Sequence, residues 1–318
     1  MKSPSMTPAF PDENASSRQG ADHVSVMLDE VIEWLAPRAG GRYCDATVGM
    51  GGHTRALLER SAPDGRVIGL DRDASALAIA RAELESFGDR LTLVHARFSQ
   101  ARTALEQIGA VPVDGFLVDL GVSSPQLDRP ERGFSFRTDG PLDMRMDATG
   151  GGETAADLLR RVDEAELARI IRDYGEERHA TRVARFIVEA RQREPIDTTG
   201  QLAAIVARAV PGRERGKNPA TRTFQALRIM VNEELDELER FLAVAADCLR
   251  PGGRLVVIAF HSLEDRIVKY RLRALAARGG ATPPVFRLLT KHVVVPTNDE
   301  RVRNRRSRSA HLRAAERV

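Results

Sequence analysis

A glycine-rich turn carries the clearest chemical signal in the sequence. The segment Gly49–His53 (GMGGH) follows an apolar run that predicts a strand and precedes a pattern that predicts a helix. Asp71 lies 20 residues after Gly51, at the end of the next predicted strand. Glycines let a backbone approach a ligand closely, and an acid at this spacing can bind both ribose hydroxyls. The pattern predicts an adenosine-containing cofactor; a tight turn beside an exposed Asp is the simpler alternative.

Asp45 and Thr54 distinguish between two such cofactors. The dinucleotide fingerprint has a third glycine where Thr54 stands, and a pyrophosphate gives no role to Asp45 at the end of the first predicted strand. A carboxylate pairs much better with the ammonium of an amino-acid group. The sequence therefore favours S-adenosylmethionine over NAD.

Two further residues stand at predicted strand ends, where ligands contact parallel sheets. Phe98 lies just beyond the third strand, so its ring could stack on adenine or pack in the core. Asp119 ends the fourth strand. We expect both strand ends to face the cofactor.

The loop 121–126 (GVSSPQ) is similar to the (Asp/Asn/Ser)-Pro-Pro-aromatic loop of methyltransferases that act on exocyclic base amines. Such amines are poor nucleophiles, and hydrogen bonds to a side-chain oxygen and a backbone carbonyl can aim the nitrogen at the methyl group. Ser124 and the carbonyl of Pro125 are the candidates. A glutamine replaces the second proline, and Phe134 or Phe136 could supply the missing aromatic ring.

These residues need elements that hold them at one edge of a sheet. Apolar runs alternate with helical patterns from Val24 onward, which predicts βαβ units and a doubly wound α/β fold. Residues 153–210 show only helical patterns, and an apolar seam from Phe224 to Leu249 predicts one helix of about seven turns. We expect a disordered leader at 1–21, a core at 22–132 and 233–318, and an inserted lid and helical domain at 133–232.

Composition and charge exclude several classes of protein. The 318 residues carry a formal charge of +3, but residues 301–318 hold seven arginines and one acid, which leaves the rest near −3. No apolar run reaches the length of a membrane helix, and Cys44 and Cys248 form no metal-binding pattern. We expect a cytoplasmic protein without a metal centre, whose basic C-terminal segment contacts RNA.

Seven segments of the chain together resemble the bacterial ribosomal small-subunit RNA methyltransferase H (MraW) family. They are HVSVMLDEVI, DATVGMGGHT, GLDRD, DLGVSSPQLDRPERGFSFRTDGPLDMRMD, NPATRTFQALRIMVNEEL, FHSLEDRIVK and NRRSRSAHLR. The resemblance implies a Rossmann-like class I S-adenosylmethionine-dependent methyltransferase core with a helical insert. It also implies methylation of N4 of a cytosine in the decoding centre of 16S ribosomal RNA. The cofactor contacts that it implies are Gly51, Gly52, His53, Asp71, Phe98, Asp119 and Gln126.

Several charged side chains admit two interpretations. His261 follows a predicted strand, so it could approach the target base or bond to backbone, while Glu264 and Asp265 are interpreted as helix caps. Arginines of the lid, the helices and the basic segment could bind RNA phosphates or form internal ion pairs. The substrate-binding candidates are Arg132, Phe134, Phe136, Arg145, Arg222, Arg228, Arg306 and Arg308.

The leading hypothesis is a cytosine N4 methyltransferase acting on 16S ribosomal RNA, within the small ribosomal subunit. A methyltransferase acting on tRNA, DNA or a small molecule is one alternative. A non-catalytic RNA-binding assembly factor that keeps the cofactor fold is the other. The sequence leaves the oligomeric state open, and it does not decide whether the insert contacts RNA.

Overall fold

The computed structural model describes residues 25–211, 218–277 and 283–318, so the predicted leader at 1–21 lies outside the described residues. A seven-stranded sheet lies at its centre. The strands are β1 (Arg42–Asp45), β2 (Arg66–Asp71), β3 (Leu91–His95), β4 (Val113–Asp119), β5 (Leu249–Ala259), β6 (Phe286–Leu288) and β7 (His311–Arg317). Their order is β3-β2-β1-β4-β5-β7-β6. The first five in this order are parallel, whereas β7 runs antiparallel to both of its neighbours.

Helices connect the strands and continue beyond them. The described residues form α1 (Leu28–Leu35), α2 (Gly52–Arg60), α3 (Ala74–Glu83), α4 (Ala101–Gln107), α5 (Ser124–Asp128), α6 (Ala155–Arg161), α7 (Glu164–Gly175), α8 (Ala180–Arg191), α9 (Thr199–Ala209), α10 (Thr221–Asn232), α11 (Glu234–Cys248), α12 (Ser262–Ala276) and α13 (Asn298–Arg303). The alternation of strands and helices up to β4 follows the sequence pattern. The predicted doubly wound α/β fold is confirmed.

The central strands are buried on both faces of the sheet. Successive side chains of a strand point to opposite faces, so Phe116 joins one hydrophobic cluster and Leu117 joins another. Val256 and Val257 of β5 divide between the same two clusters. This double burial explains why the strands appear in the sequence as continuous apolar runs.

A third hydrophobic cluster belongs to the helices between β4 and β5. It extends from Phe134 to Leu227 and includes buried residues of α6 to α10, such as Leu167 and Val183. These residues all lie within the predicted insert. The boundaries of that insert at 133 and 232 stay a prediction.

The single helix predicted from Phe224 to Leu249 is wrong. The chain forms α10 and α11 instead, and Glu233 between them adopts a left-handed conformation with φ of 52°. Four of the first five residues after Asn232 are acidic, which is typical of a helix N-terminus because acids interact favourably with its free amides. That signal marks the break, whereas the apolar seam continues across it.

Asn232 gives the physical reason for the bend. Its side chain is buried, and its Nδ2 donates to the carbonyl of Met144 at 2.7 Å while its Oδ1 accepts from the amide of Met146 at 2.8 Å. Arg72 donates to the Asn232 carbonyl at 2.9 Å. These bonds hold the end of α10 against the loop that precedes α6.

The basic C-terminal segment is not a free tail. Residues 311–317 form β7 inside the sheet, where Leu312, Ala314 and Ala315 are buried. Arg313 on this strand forms an ion pair with Asp265 at 2.7 Å. The exposed arginines of this segment lie before the strand, with Arg303 at the end of α13 and the others in the short helical turn at 305–309.

Candidate active site

A cleft of about 650 Å³ opens at the carboxyl ends of the parallel strands. Its lining includes Gly49 after β1, Asp71 at the end of β2, Phe98 after β3, and Asp119 at the end of β4. Ser124, at the start of α5, lines the same cleft. The structure thus brings the strand-end residues predicted from the sequence to one cavity.

The carboxylate of Asp71 is fixed by two backbone amides. Gly49 donates to its Oδ2 at 2.8 Å, and Asp73 donates to its Oδ1 at 2.8 Å. Each carboxylate oxygen has two lone pairs, so both can accept a further hydrogen bond. Burial raises the pKa of Asp71 to about 6. Gly49 has φ of +53°, and a Cβ there would meet no heavy atom within 4 Å, so this glycine borders open space beside the acid.

The other two glycines of the turn, Gly51 and Gly52, are required mainly by backbone conformation and packing within the protein. Gly51 precedes α2 with φ of +86° and is not among the residues that line the cleft. A Cβ on Gly52 would lie 2.0 Å from Oγ of Ser25, so a side chain there would collide with the segment before α1. Gly52 also lines the cleft, which keeps its predicted contact with a ligand possible.

His53 and Asp119 form a pair on the cleft wall. The His53 Nε2 lies 3.6 Å from the Asp119 Oδ2, and the His53 side chain is 6% exposed. Neither ring nitrogen, nor the Oδ1 of Asp119, forms a hydrogen bond within the residues that the structure describes. Burial lowers the pKa of His53, but the adjacent Asp119 carboxylate outweighs it and the net shift is upward. This pair has unused hydrogen-bonding capacity for a polar ligand.

Asp45 does not reach the cleft. Its carboxylate is fully buried, accepts from Oγ1 of Thr54 at 2.6 Å and from the amide of Thr47 at 3.2 Å, and is absent from the cleft lining. Thr54 therefore stands at the third glycine position because its hydroxyl satisfies a buried acid. The sequence argument that paired Asp45 with an ammonium is wrong, whereas Asp119 is among the acids that do line the cleft.

Phe98 combines the two roles that the sequence left open. Its ring is half-buried and packs edge-to-face on Phe241, with the ring centroids 5.9 Å apart. It also lines the cleft. The same side chain can contact the core and a ligand.

The loop after β4 is held by Gln126. The amide of Ser123 donates to its Oε1 at 3.0 Å, and its Nε2 donates to Oδ2 of Asp73 at 2.9 Å. Gln126 is 4% exposed and lines the cleft. The glutamine that replaces the second proline thus connects this loop to the turn that holds Asp71.

The Ser124 hydroxyl and the Pro125 carbonyl differ in whether they face the cleft. The Ser124 Oγ is buried, lines the cleft and forms no hydrogen bond within the described residues. The Pro125 carbonyl accepts from the amide of Arg129 at 3.2 Å, and Pro125 is not part of the cleft lining. The structure brings the predicted hydroxyl to the cleft and does not bring the predicted carbonyl there.

The segment after β5 places an acid, not the predicted histidine, on the cleft wall. His261 is the N-cap of α12, and Glu264 accepts from the amides of Phe260 at 2.8 Å and His261 at 3.3 Å. Glu264 lines the cleft, and His261 does not. The predicted capping role of Glu264 is confirmed, and its position beside the cleft was missed.

Glu234, His261 and Glu264 offer ligand atoms within 4.8 Å of one another. Both oxygens of Glu234 already accept from Arg228, at 2.8 Å each. The arginine thus supplies the positive charge that this cluster needs. Both acids follow sequence signals for helix starts, which gave no indication that the two would meet.

A groove of about 720 Å³ adjoins the cleft and shares lining residues with it. Its lining includes Phe136, Arg137, Arg305 and Arg308. Phe136 packs edge-to-face on Phe224 with ring centroids 4.8 Å apart. The other aromatic candidate, Phe134, borders the groove but is only 7% exposed and belongs to the helical cluster.

Most of the predicted RNA-binding arginines form ion pairs within the chain. The pairs are Arg132 with Asp73 (2.8 Å), Arg145 with Asp143 (2.7 Å), Arg222 with Glu177 (3.8 Å), Arg228 with Glu234 (2.8 Å) and Arg306 with Asp128 (2.8 Å). Arg308 is exposed on the groove. Their contacts with RNA stay a prediction, and the exposed arginines of 305–308 are its best-supported members.

A doubly wound sheet with a glycine turn after β1, acids at the ends of β2 and β4, and a shared cleft at those ends is typical of enzymes that bind an adenosine-containing cofactor, a class that includes the class I methyltransferases. The chain belongs to the MraW methylase family, whose model matches residues 20–318. The protein is therefore an enzyme, a methyltransferase, as the resemblance implied. Among the described residues, no helix is long and apolar enough to cross a membrane.

Three relatives of this chain bear the same name. The chain is 52% identical to the ribosomal RNA small subunit methyltransferase H of Nitratidesulfovibrio vulgaris (strain DSM 19637 / Miyazaki F), over 95% of this chain and 87% of the relative. The protein of the same name from Geotalea uraniireducens is 52% identical over 93% of this chain and 98% of its own length. The protein of the same name from Afipia carboxidovorans is 54% identical over 93% of this chain and 90% of its own length.

Proposed function

We propose that this methyltransferase transfers a methyl group from S-adenosylmethionine to N4 of a cytosine in the decoding centre of 16S ribosomal RNA. The names of its relatives support small-subunit ribosomal RNA as the substrate. The similarity of the sequence to the MraW family supports the cytosine and its location. The observation that carries the proposal is a cleft with a fixed acid and a free serine hydroxyl, which adjoins an arginine-lined groove.

The cleft has the groups that S-adenosylmethionine requires. Asp71 keeps a free lone pair on each oxygen for the two ribose hydroxyls, and Phe98 offers a ring to the adenine. His53 and Asp119 have unpaired polar atoms for the amino-acid end of the cofactor. When bound, the cofactor supplies a methyl group on a positively charged sulfur. These residues would hold the cofactor.

The target amine needs orientation more than deprotonation. The Ser124 Oγ can accept a hydrogen bond from the amine, which directs the nitrogen lone pair away from that bond and toward the methyl group. Methyl transfer would exchange the C–S bond of the cofactor for an N–C bond, and the methylated amine would afterwards release its extra proton to bulk solvent. Positioning and exclusion of water supply most of the catalysis in this arrangement.

The groove gives a path for the RNA strand next to the target. Arg137, Arg305 and Arg308 line it, and Phe136 adds an aromatic edge. Arginine forks match phosphate oxygens, and aromatic rings accept unstacked bases, so a single-stranded segment suits this surface. The formal charge is concentrated in the segment 301–318, which supports a local rather than a general contact with RNA.

A direct test uses small ribosomal subunits from a strain that lacks this modification. The protein is incubated with them and with labelled S-adenosylmethionine, and the label is mapped by mass spectrometry of RNA fragments. Label on N4 of a single decoding-centre cytosine is expected. Label on another RNA, on DNA or on a different atom would replace the proposed substrate, and no label on any acceptor would favour a non-catalytic RNA-binding factor. The cytoplasmic location and the ribosomal subunit as partner stay predictions.

A further inference from the structure

Arg228 and Glu264 are charged residues of the cleft that the cofactor contacts do not use. Arg228 of α10 lines both the cleft and the groove, and Glu264 of α12 lines the cleft. The Glu264 side chain is 2% exposed, and that of Arg228 is 16% exposed. Ser124 lies on the wall of the same cleft. Two opposite charges thus border the cleft, and one of them, Arg228, also borders the groove.

Arg228 presents a fixed donor. Its Nε and Nη2 donate to the two carboxylate oxygens of Glu234, both at 2.8 Å, which locks the plane of the guanidinium. A guanidinium has five N–H donors, so two bonds leave others available. The Nη1 forms no hydrogen bond with any residue that the structure describes. Because the side chain borders both cavities, this nitrogen is available to a ligand there.

Glu264 presents a fixed acceptor. Its Oε2 accepts the amides of Phe260 and His261, whereas Oε1 lies 3.1 Å from Nε2 of His261 without forming a hydrogen bond to it. Burial raises the pKa of Glu264, but the His261 ring and the charge of Arg228 outweigh it and bring the pKa below its usual value. The carboxylate is therefore ionised at neutral pH, and Oε1, which lies beside the His261 ring, has a further lone pair that can accept a hydrogen bond.

We propose that Glu264 and Arg228 together recognise the target base, and this inference rests on the proposed function. Glu264 accepts one hydrogen of the exocyclic amine, and Arg228 donates to the adjacent ring nitrogen N3. Ser124 takes the second amine hydrogen, so the nitrogen is held by two acceptors. In cytosine the 4-amine donates and the adjacent N3 accepts. In uracil the carbonyl oxygen O4 accepts and N3–H donates, which is the reverse order at the same positions. A uracil would leave a buried carboxylate facing a carbonyl oxygen, which such a site rejects strongly.

The test compares two bases at the methylated position. Small-subunit RNA is assembled with cytosine or with 3-deazacytosine, which keeps the amine and lacks the N3 acceptor, and kcat/KM is measured for each. We expect the wild type to lose about tenfold or more on 3-deazacytosine, the value of one hydrogen bond to a charged group. Arg228→Lys should be slower on cytosine and should discriminate less than threefold, because lysine lacks the fork that both binds Glu234 and reaches the base.

A second variant separates recognition from folding. Glu264→Gln keeps an oxygen that can accept the two amides of the α12 cap, so cofactor affinity should stay within twofold while kcat/KM on RNA falls about tenfold or more. Glu239→Gln, an exposed acid on α11, is the matched control. Unchanged kcat/KM in Glu264→Gln, or undiminished discrimination in Arg228→Lys, would overturn the inference. A wild type that methylates no RNA would instead refute the proposed function.

Discussion

Arg132 and Asp73 form an ion pair of 2.8 Å in which the two side chains are only 11% and 6% exposed. Arg132 also donates to the carbonyls of Arg145 and Met146, at 3.0 and 2.8 Å. Asp73 in turn donates its amide to Asp71 at 2.8 Å. One side chain of the loop after β4 thus stabilises the turn that positions Asp71, the acid proposed to bind the ribose.

Replacing Arg132 by Ala should destabilise the fold. The change leaves Asp73 as a buried charge without its cation, which costs roughly 3 kcal/mol of unfolding free energy. Urea denaturation followed by circular dichroism measures this loss. Arg169→Ala is the control, because Arg169 is exposed and its pair with Glu166 is 3.6 Å long; it should stay within about 0.5 kcal/mol of the wild type. Equal stability of the two variants would contradict the role given to the buried pair.

Asp71→Ala should weaken cofactor binding by roughly 2 to 4 kcal/mol, because two hydrogen bonds to a charged acceptor are lost. Isothermal titration calorimetry with S-adenosylmethionine measures the change in Kd. The matched control is Asp173→Ala, which removes an exposed acid from α7. A Kd for Asp71→Ala equal to that of the wild type would mean that the ribose lies elsewhere.

Cofactor affinity should depend on pH near the raised pKa of Asp71. Burial brings this pKa to about 6, and the ionised carboxylate accepts stronger hydrogen bonds from ribose hydroxyls than the protonated form does. Affinity should therefore be constant well above pH 6 and fall as the pH drops through and below it. Binding measured from pH 5 to 8 tests this, with Asp71→Asn expected to show a flatter profile in that range. A wild-type profile without a break near pH 6 would contradict the assignment.

Asn232→Ala should destabilise the bend between α10 and α11. The buried amide of Met146 and carbonyl of Met144 lose their partner, and unsatisfied buried polar groups cost about 1 to 3 kcal/mol each. Thermal unfolding should show a lower Tm than the wild type. Glu239→Ala on the exposed face of α11 should change the Tm little. An Asn232→Ala protein as stable as this control would show that the apolar seam alone fixes the bend.

Arg308→Ala should weaken RNA binding and leave cofactor binding unchanged. Its side chain borders the groove and is not part of the cleft lining, and the loss of one phosphate contact should reduce the slope of log affinity against log salt concentration by about one. Filter binding to small-subunit RNA at several salt concentrations gives the slope. Arg303→Ala is the control, since Arg303 is exposed on α13 outside the groove lining. Truncation at residue 301 cannot replace this test, because it removes the buried strand β7.

The strand ends and the turn were predictable because local patterns encode them. The glycine turn, Asp71, Phe98 and Asp119 each follow an apolar run, and parallel topology brings such run ends to one edge of a sheet. The sequence could not show that Asp45 is used by Thr54, because that bond depends on how α2 packs against β1. The partners of Arg132 and Arg228 were hidden for the same reason: an arginine looks the same in sequence whether it faces RNA or a buried acid.

The sequence analysis missed the bend at Asn232 and the strand β7 for a different reason. A continuous apolar seam is compatible with one helix or with two, and only the tertiary bonds of Asn232 decide between them. Residues 311–317 contain two arginines and one acid, so their charge concealed the alternation of buried Leu312 and Ala314. The pairing of this segment with β5 in the sheet shows what the charge count concealed.

The pairing of β4 with β5 also bears on the stage of folding at which the cleft is assembled. These strands are hydrogen-bonded neighbours, yet the whole helical segment from α5 to α11 separates them in the chain. Contacts within that segment are local and form early, whereas closing so long a loop is slow although its entropic cost grows only gently with length. We therefore expect Asp119 at the end of β4 and Glu264 after β5 to reach the same cleft late in folding, after the helices of this segment have formed.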